Sequence, residues 1–351
     1  MHMIRNIIVI VFFFIIQNQF VNAQSYKIDI IKADSVEVEM GLLTDSIKTV
    51  NLRLPADIIL QGVRVVQLTN SGRFLIVAGV YQGLYLFDIK GNFIKEVITP
   101  ASDYQSQEEA LAQNGEFDAL NNIFYQDAYD KWIGINIHTG RIVDRIIKPH
   151  AYAEKIANFC QVAEDCYIGY VNNQSGKEPV LFIFFKKNGD LLSFVPNHRS
   201  YVKHTNDNPY NYGTFYKYNS KYYCFEPSYG STVYEIKGTE VVPYIWFNLG
   251  TKTPVYNYRD MPDNNIGRYY IFKVIETQSR IHFQGIAGDR PLWGYYDKRN
   301  DKTYLISNMK SSMNTGYLDQ ANYIPFLSKS NISITYMMKD QDIKVLISIL
   351  K

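Results

Sequence analysis

The chain has 351 residues, with 36 basic against 34 acidic side chains and a formal charge of +2. That near balance, with no cluster of Lys and Arg to track a phosphate backbone, argues against nucleic acid as a partner. Aromatic residues make up 15% of the chain and include 29 tyrosines, a composition that suits strands and also surfaces that stack on sugar rings or peptide side chains.

Residues 1–23 read as a signal peptide. Arg5 supplies the positive end, Ile7 to Ile16 is an unbroken apolar stretch, and Val21-Asn22-Ala23 places small residues before a cleavage that would leave Gln24 first. A ten-residue helix rises about 15 Å, half of a hydrocarbon core about 30 Å thick, so cleavage is favoured over anchoring. No cysteine stands near the cleavage point to carry a lipid, and no later apolar run is long enough to span a bilayer. The expected mature protein is residues 24–351, one domain and a monomer, in the periplasm, secreted or at the cell surface.

The elements that follow are strands with almost no helix between them. Ser35–Glu39 and Ile47–Leu52 come first. Phe74–Val77 then precedes a hairpin, Leu84–Phe87 and Phe93–Ile94, around Asp88-Ile-Lys-Gly91-Asn92. The pattern recurs with Ile123–Tyr125, Trp132–Ile135 and Ile142–Val143 around Gly140. It recurs again with Cys166–Ile168, Val180–Phe185 and Leu191–Leu192 around Gly189, and with Tyr222–Phe225, Thr232–Tyr234 and Val241–Val242 around Gly238. Gly91, Gly140, Gly189 and Gly238 are spaced 49 residues apart, so one supersecondary unit is used repeatedly. A fifth unit, Tyr269 to Ile306, turns at Arg299-Asn300-Asp301, and a sixth, Tyr323 to Leu350, turns at Lys339–Asp342.

Val180–Phe185 is apolar throughout, as a strand covered on both faces requires, and stacked blades cover both faces of a sheet. The period also matches blade repeats of about 40 to 50 residues. The expected fold is therefore all-β, a six-bladed β-propeller of four-stranded antiparallel blades, with seven blades the nearest alternative. The sixth unit has too few strands alone, so the N-terminal strands Ser35–Glu39 and Ile47–Leu52 are expected to complete it and close the ring.

From Leu42 to Leu350 the chain resembles the six-bladed β-propeller proteins exported in large numbers by Bacteroidota, similar in shape to NHL-repeat propellers. The resemblance rests on Leu42–Leu52, the Leu84–Ile94 hairpin and its echoes. Many relatives carry a Gly-rich, Pro-containing stretch after the first hairpin, where this chain reads Thr99-Pro-Ala-Ser-Asp-Tyr-Gln-Ser-Gln-Glu-Glu109, so that feature does not carry over. The resemblance implies a binding or surface-assembly protein more than an enzyme.

Loops joining second to third strands should emerge on the same side as the connections between units, opposite the Gly turns. The long connections, 99–114, 196–211, 248–267 and 307–321, all lie on that side, where function tends to sit. They carry Tyr104, His198, Tyr201, His204, Tyr210, Tyr256, Tyr258, Arg259 and Tyr317. The shorter loops on that side add Tyr81, Tyr129, Tyr229 and Arg290. The expected ligand is a glycan, peptide or protein, bound by Tyr81, Tyr129, Tyr201, Tyr229, Arg259 and Arg290. About half of the aromatics on these loops should serve only to pin them, since such loops pack by their own side chains.

No two-His zinc helix, Gly-x-Ser-x-Gly elbow or phosphate loop occurs, so no catalytic residue and no cofactor is assigned. The alternative reading is a calcium-dependent hydrolase or lactonase using the central channel, with Glu116, Asp118, Asn158 and Asn322 as oxygen ligands. His198, His204 and Asp207 share a polar loop, which is read as solvated and not as a metal site. Cys160 and Cys166 flank a tight hairpin that could set them opposite each other for a disulfide, the other reading being two buried thiols that act as small hydrophobes; Cys224 is left without a disulfide partner either way.

Overall fold

The structure is a computed structural model that describes residues 26–39, 44–56, 58, 63–68, 74–79, 83–97, 115–118, 121–205, 213–310, 326–327, 332–339 and 342–350. Three strands come first: β1 (Tyr26–Asp29), β2 (Asp34–Glu39) and β3 (Thr44–Leu52). The first sheet takes β4 (Val63–Leu68), β5 (Phe74–Gly79), β6 (Gly83–Asp88) and β7 (Phe93–Val97) in sequence order. The second takes β8 (Gly115–Asp118), β9 (Ile123–Ala128), β10 (Lys131–Asn136) and β11 (Ile142–Ile147). The third takes β12 (Ile156–Ala163), β13 (Cys166–Val171), β14 (Val180–Phe185) and β15 (Leu191–Pro196). The fourth is built on β16 (Thr214–Tyr218), β17 (Lys221–Phe225), β18 (Thr232–Lys237) and β19 (Glu240–Asn248). The fifth is built on β20 (Tyr269–Glu276), β21 (Arg280–Ala287), β22 (Arg290–Asp297) and β23 (Lys302–Lys310). β24 (Phe326–Leu327), β25 (Ile332–Lys339) and β26 (Asp342–Leu350) share the last sheet with β3. The described chain is thus mostly β, a succession of four-stranded antiparallel meanders in a propeller-like arrangement.

The core lies between neighbouring sheets, which is why their strands are apolar on both faces. Every residue of β14 is buried. Aromatic pairs bridge three of these interfaces. Trp132 of the second sheet stands 4.4 Å, centroid to centroid, from Phe159 of the third. Phe182 of the third is 6.2 Å from Phe215 of the fourth, and Phe247 of the fourth is 5.6 Å from Phe283 of the fifth. First strands approach one another around the assembly, β8 beside β12, β16 beside β20 and β20 beside β24, while β25 approaches β4.

The N-terminal strands depart from expectation. Only β3 joins the last sheet, pairing antiparallel with β26 in the register Val50↔Val345. β2, expected there too, instead adds parallel to β23, with Ser35 opposite Leu305, and β1 adds parallel to β19, with Ile28 opposite Phe247. Chain reach explains the correction. Residues 30–33 separate β1 from β2 and extend at most about 14 Å, enough for the edge of the next sheet and no further. Of the two readings for the cysteines the structure has the thiols: Cys160 pairs across the hairpin with Ile168 and Cys166 with Ala163, so the two are not opposite each other, and none of the three cysteines is in a disulfide.

The 49-residue period has a structural purpose. Each Gly turn leans on the outer strand of the preceding sheet. The Lys95 ammonium of β7 donates to the His138 carbonyl in the Gly140 turn. The Ile147 amide at the end of β11 donates to Lys187 beside Gly189, and Ser193 Oγ of β15 donates to Thr239 beside Gly238. The Gly91 turn leans in the same way on β3 of the last sheet: the amide of Arg53 donates to the Gly91 carbonyl at 2.8 Å, and Arg53 Nη1 reaches Asn92 Oδ1.

Gly91 and Gly238 separate the two demands made on such a glycine. Both have positive φ, +86° and +63°, but a Cβ on Gly91 would stand 2.0 Å from the Asn51 carbonyl oxygen, whereas nothing lies within 4 Å of one on Gly238. Gly238→Ala should therefore cost only the left-handed backbone term, about 1–2 kcal/mol. Gly91→Ala should cost clearly more, because β3 must move; urea midpoints of the two variants would check the order.

Asp88 caps the same turn. Its carboxylate accepts from the amides of Lys90 (2.8 Å) and Asn92 (2.9 Å) and from Asn92 Nδ2 (2.8 Å). The Asn92 side chain, with the two backbone amides, holds its pKa below the ordinary carboxylate value against the opposing effect of burial. A depressed folded pKa means that this stabilisation is complete above the unfolded value of about 3.9 and is lost as pH falls through the folded one. The stability difference between wild type and Asp88→Ala should accordingly shrink from pH 7 to pH 3.

Candidate functional site

Between the third and fourth sheets the described 2-to-3 loops and inter-sheet connections knit into a polar cluster. Its centre is Arg259, in the connection that follows β19, with its side chain sealed from solvent. Its guanidinium donates to Tyr256 OH (3.0 Å), Tyr170 OH (3.3 Å) and Asn172 Oδ1 (2.9 Å) and pairs with Glu226 Oε1 (3.3 Å). Tyr170 is the last residue but one of β13, Asn172 opens the loop after it, and Glu226 opens the loop after β17. One arginine therefore ties three loops to two sheets.

Arg199, in the connection after β15, closes the cluster from outside. It pairs with the second oxygen of Glu226, donates to the Tyr229 carbonyl at 2.8 Å, and lies 4.7 Å from the Tyr256 ring centroid. Tyr256 is the aromatic hub, edge-on to Tyr201 (6.0 Å) and Tyr229 (5.7 Å). Tyr201 OH donates to the carbonyls of Asn173 and Gln174, and Tyr229 OH to that of Arg259. Beside them the buried Asp260 carboxylate accepts the amides of His204 and Thr205 and faces His204 Nδ1 at 3.3 Å.

Burial governs the electrostatics. It raises the pKa of Tyr170, with Arg259 opposing, and that of Tyr229. It lowers the pKa of Arg199. For Arg259 burial acts downward, but the oxygens of Tyr170 and Tyr256 outweigh it and its pKa is raised. For Asp260 burial acts upward and the loop amides outweigh it, leaving the carboxyl below its ordinary value. The raised values keep Tyr170 and Tyr229 in the protonated form.

A family model described as a domain of unknown function, DUF4934, matches residues 25–348. The chain belongs to that family. No curated protein matches it. Its fold is similar to that of a crystal structure from Bacteroides fragilis described as an exported protein, at 15% identity and a TM-score of 0.65, covering 93% of this chain and 100% of that one. Weaker likenesses are the C-terminal WD40 domain of Sif2 (10% identity, TM-score 0.41, 86% of this chain and 85% of that one) and BamB from Moraxella catarrhalis (10% identity, TM-score 0.35, 66% and 58%).

In this DUF4934 chain the structure brings Tyr201, Tyr229 and Arg259 together around Tyr256. Tyr201 and Arg259 are buried, so they hold the loops and present no surface. Tyr129 stands apart, 61% exposed in the β9–β10 turn, with its OH bonded to Glu154. Arg290 is exposed at the start of β22 beside Asp289, and Tyr81 lies outside the described residues. The sequence reading missed Glu226, Tyr170, Asn172 and Arg199. Glu226 had a signal, a lone carboxylate directly after the apolar run Tyr222–Phe225.

Of the oxygen-ligand candidates, Asn158 and Glu116 do meet, Asn158 Nδ2 donating to Glu116 Oε1 at 3.2 Å and to the Gly213 carbonyl at 2.6 Å. Asp118 accepts instead from Asn121 at the end of its own hairpin, and Asn322 lies outside the described residues. Among the described residues no group of three His, Cys, Asp or Glu is placed to hold a metal, and no helix is long and apolar enough to cross a membrane.

Proposed function

We propose that this DUF4934 protein is an exported six-bladed β-propeller that serves as a binding module for a glycan, peptide or protein on its long-loop side. The ring is closed by β3 on β26, and support for closure comes from the Gly91 turn leaning on β3 and from β25 lying beside β4. Residues 1–23 act as its signal peptide, and 24–351 form one monomeric NHL-like domain in the periplasm or at the cell surface. The likeness to the exported B. fragilis protein fits that location.

The observation that carries the reading is the contrast between the two sides. The Gly turns are spent on contacts with the preceding sheet, whereas the long-loop side carries the hydrogen-bonded Arg259 cluster and leaves Tyr129, Val202 and Ile266 exposed. Tyr129 holds φ at +35°, a strained conformation for a bulky residue of the kind that gathers at functional sites. Tyr129, Tyr229 and Arg290 make the contacts, Tyr81 adds to them, and Arg259 and Tyr201 fix the platform.

A glycan and peptide array on the mature protein would identify a ligand. Replacing Tyr129, Tyr229 or Arg290 by Ala should then weaken it by about 1 kcal/mol or more for at least one of them. Changing Lys90, Thr139 or Lys237 beside the Gly turns should leave affinity unchanged. Loss confined to the Gly-turn variants would assign binding to the opposite side.

A further inference from the structure

We propose that the outer edge of β15 is a docking site for a polypeptide partner, an extended segment with apolar side chains at alternate positions that adds to the third sheet as a fifth strand. The site lies on the rim of the assembly and is independent of the long-loop side. The chain itself shows how such an edge is covered: β1 adds parallel to β19 and β2 parallel to β23, each turning a four-stranded sheet into a five-stranded one. Among the described residues the first, second and third sheets have no such addition and end on β7, β11 and β15.

Charge separates the covered edges from the bare ones. Bare β7 reads Phe-Ile-Lys-Glu-Val and bare β11 reads Ile-Val-Asp-Arg-Ile-Ile, each with a charged pair in its interior, and charged side chains are a device that keeps an open edge from pairing. The covered strands lack it: residues 241–247 of β19 and 303–309 of β23 include no charged side chain. β15 reads Leu-Leu-Ser-Phe-Val-Pro, which places it with the covered strands by composition, yet it is bare. Its Leu191, Leu192 and Phe194 are 46%, 40% and 55% exposed. Among the described residues the backbone of Leu191–Val195 pairs with β14 alone, whereas the end of β11 already gives its Ile147 amide to Lys187.

Continuity and pattern name the occupant. The added strands lie on consecutive edges, β1 on the fourth sheet and β2 on the fifth, and β15, which approaches β19, is the next edge upstream. With cleavage after Ala23, only Gln24 and Ser25 precede β1, too few for a further strand, so the strand comes from another molecule. The strands in place show the sequence it needs: β1 buries Ile28 next to exposed Lys27, and β2 buries Val38 next to exposed Glu37. On β15, Ser193 donates to Thr239 and Val195 packs on the core between the third and fourth sheets, so Phe194 projects from the opposite face and meets every second side chain of an added strand. Pro196 has no amide to offer, which limits the addition to a strand as short as β1.

Panning a displayed library of random linear heptapeptides on the mature protein, with Leu192→Lys/Phe194→Lys as the counter-selection, would test this. Enriched peptides should carry apolar residues at alternate positions with no proline between them and bind the double variant about tenfold more weakly. They should also slow hydrogen exchange of those amides in 191–195 that point away from β14, which an unpaired edge leaves open. Both positions are exposed, so the double variant should keep the wild-type melting temperature. Phe194→Thr, which keeps strand propensity and adds no charge, should lose part of the binding and serves as the readout where the lysines disturb the fold. A library with no peptide that prefers the wild type to both variants would overturn the proposal, as would binders that leave exchange at 191–195 unchanged. Protection confined to the loops around Tyr129 and Val202 would overturn the rim site and leave the long-loop reading standing. Dimerisation of the wild type that both variants abolish would assign the edge to a second copy of this chain and overturn the separate partner.

Discussion

Deleting residues 24–52 should yield a protein that aggregates and shows no cooperative melting. The segment supplies the outermost strand to three successive sheets, β1 on β19, β2 on β23 and β3 on β26. Its removal bares three rows of backbone donors and acceptors, the template for edge-to-edge association. It also removes Ile28 and Ile30, both fully buried against the fourth sheet, each contributing about 1.5–3 kcal/mol by burial. Tyr26 goes with them, a ring packed against Tyr244 (5.6 Å) and Tyr296 (5.5 Å) under the ammonium of Lys298. Against a domain stability of about 5–15 kcal/mol, the loss of three strands is decisive. Size-exclusion chromatography and calorimetry would check it; a soluble truncation with a single sharp transition would mean that β3 does not close the assembly.

Arg259→Ala should be the most damaging single change on the long-loop side, costing about 3–5 kcal/mol, because it leaves the Glu226 carboxylate buried beside one guanidinium where it had two. Tyr170, Tyr256 and Asn172 lose a shared donor at the same time. Arg259→Lys should rescue little, since an ammonium cannot reproduce the planar fork that reaches four partners. Arg290→Ala, at a side chain almost wholly in solvent, should change stability by no more than about 0.5 kcal/mol. Urea unfolding of the three variants provides the comparison. Equal effects of Arg259→Ala and Arg290→Ala would refute the clamp.

Much of the candidate site was legible as a side and little of it as a set of contacts. Loop length assigned Tyr201, Tyr256 and Arg259 to one side, and strand direction added Tyr229. Nothing local distinguishes a tyrosine that pins a loop, such as Tyr201, from one that projects, such as Tyr129. Burial of a loop residue is decided by what other segments lay over it, and Arg259 meets Tyr170 and Asn172 across 89 and 87 residues of sequence.

The sequence by itself determined the strand repeat, the turn glycines and the apolar strands covered on both faces, because these follow from φ, from strand periodicity and from the pattern of polarity, all of which act over a few residues. The path of the N-terminal segment was decided only by tertiary structure, since β1, β2 and β3 have no local signal for which edge they will meet; chain reach and the free edges of the fourth, fifth and last sheets choose for them. The same holds for the charges. Arg199, Glu226 and Arg259 are unremarkable apart, and only the packing of the third and fourth sheets brings two guanidiniums onto one carboxylate.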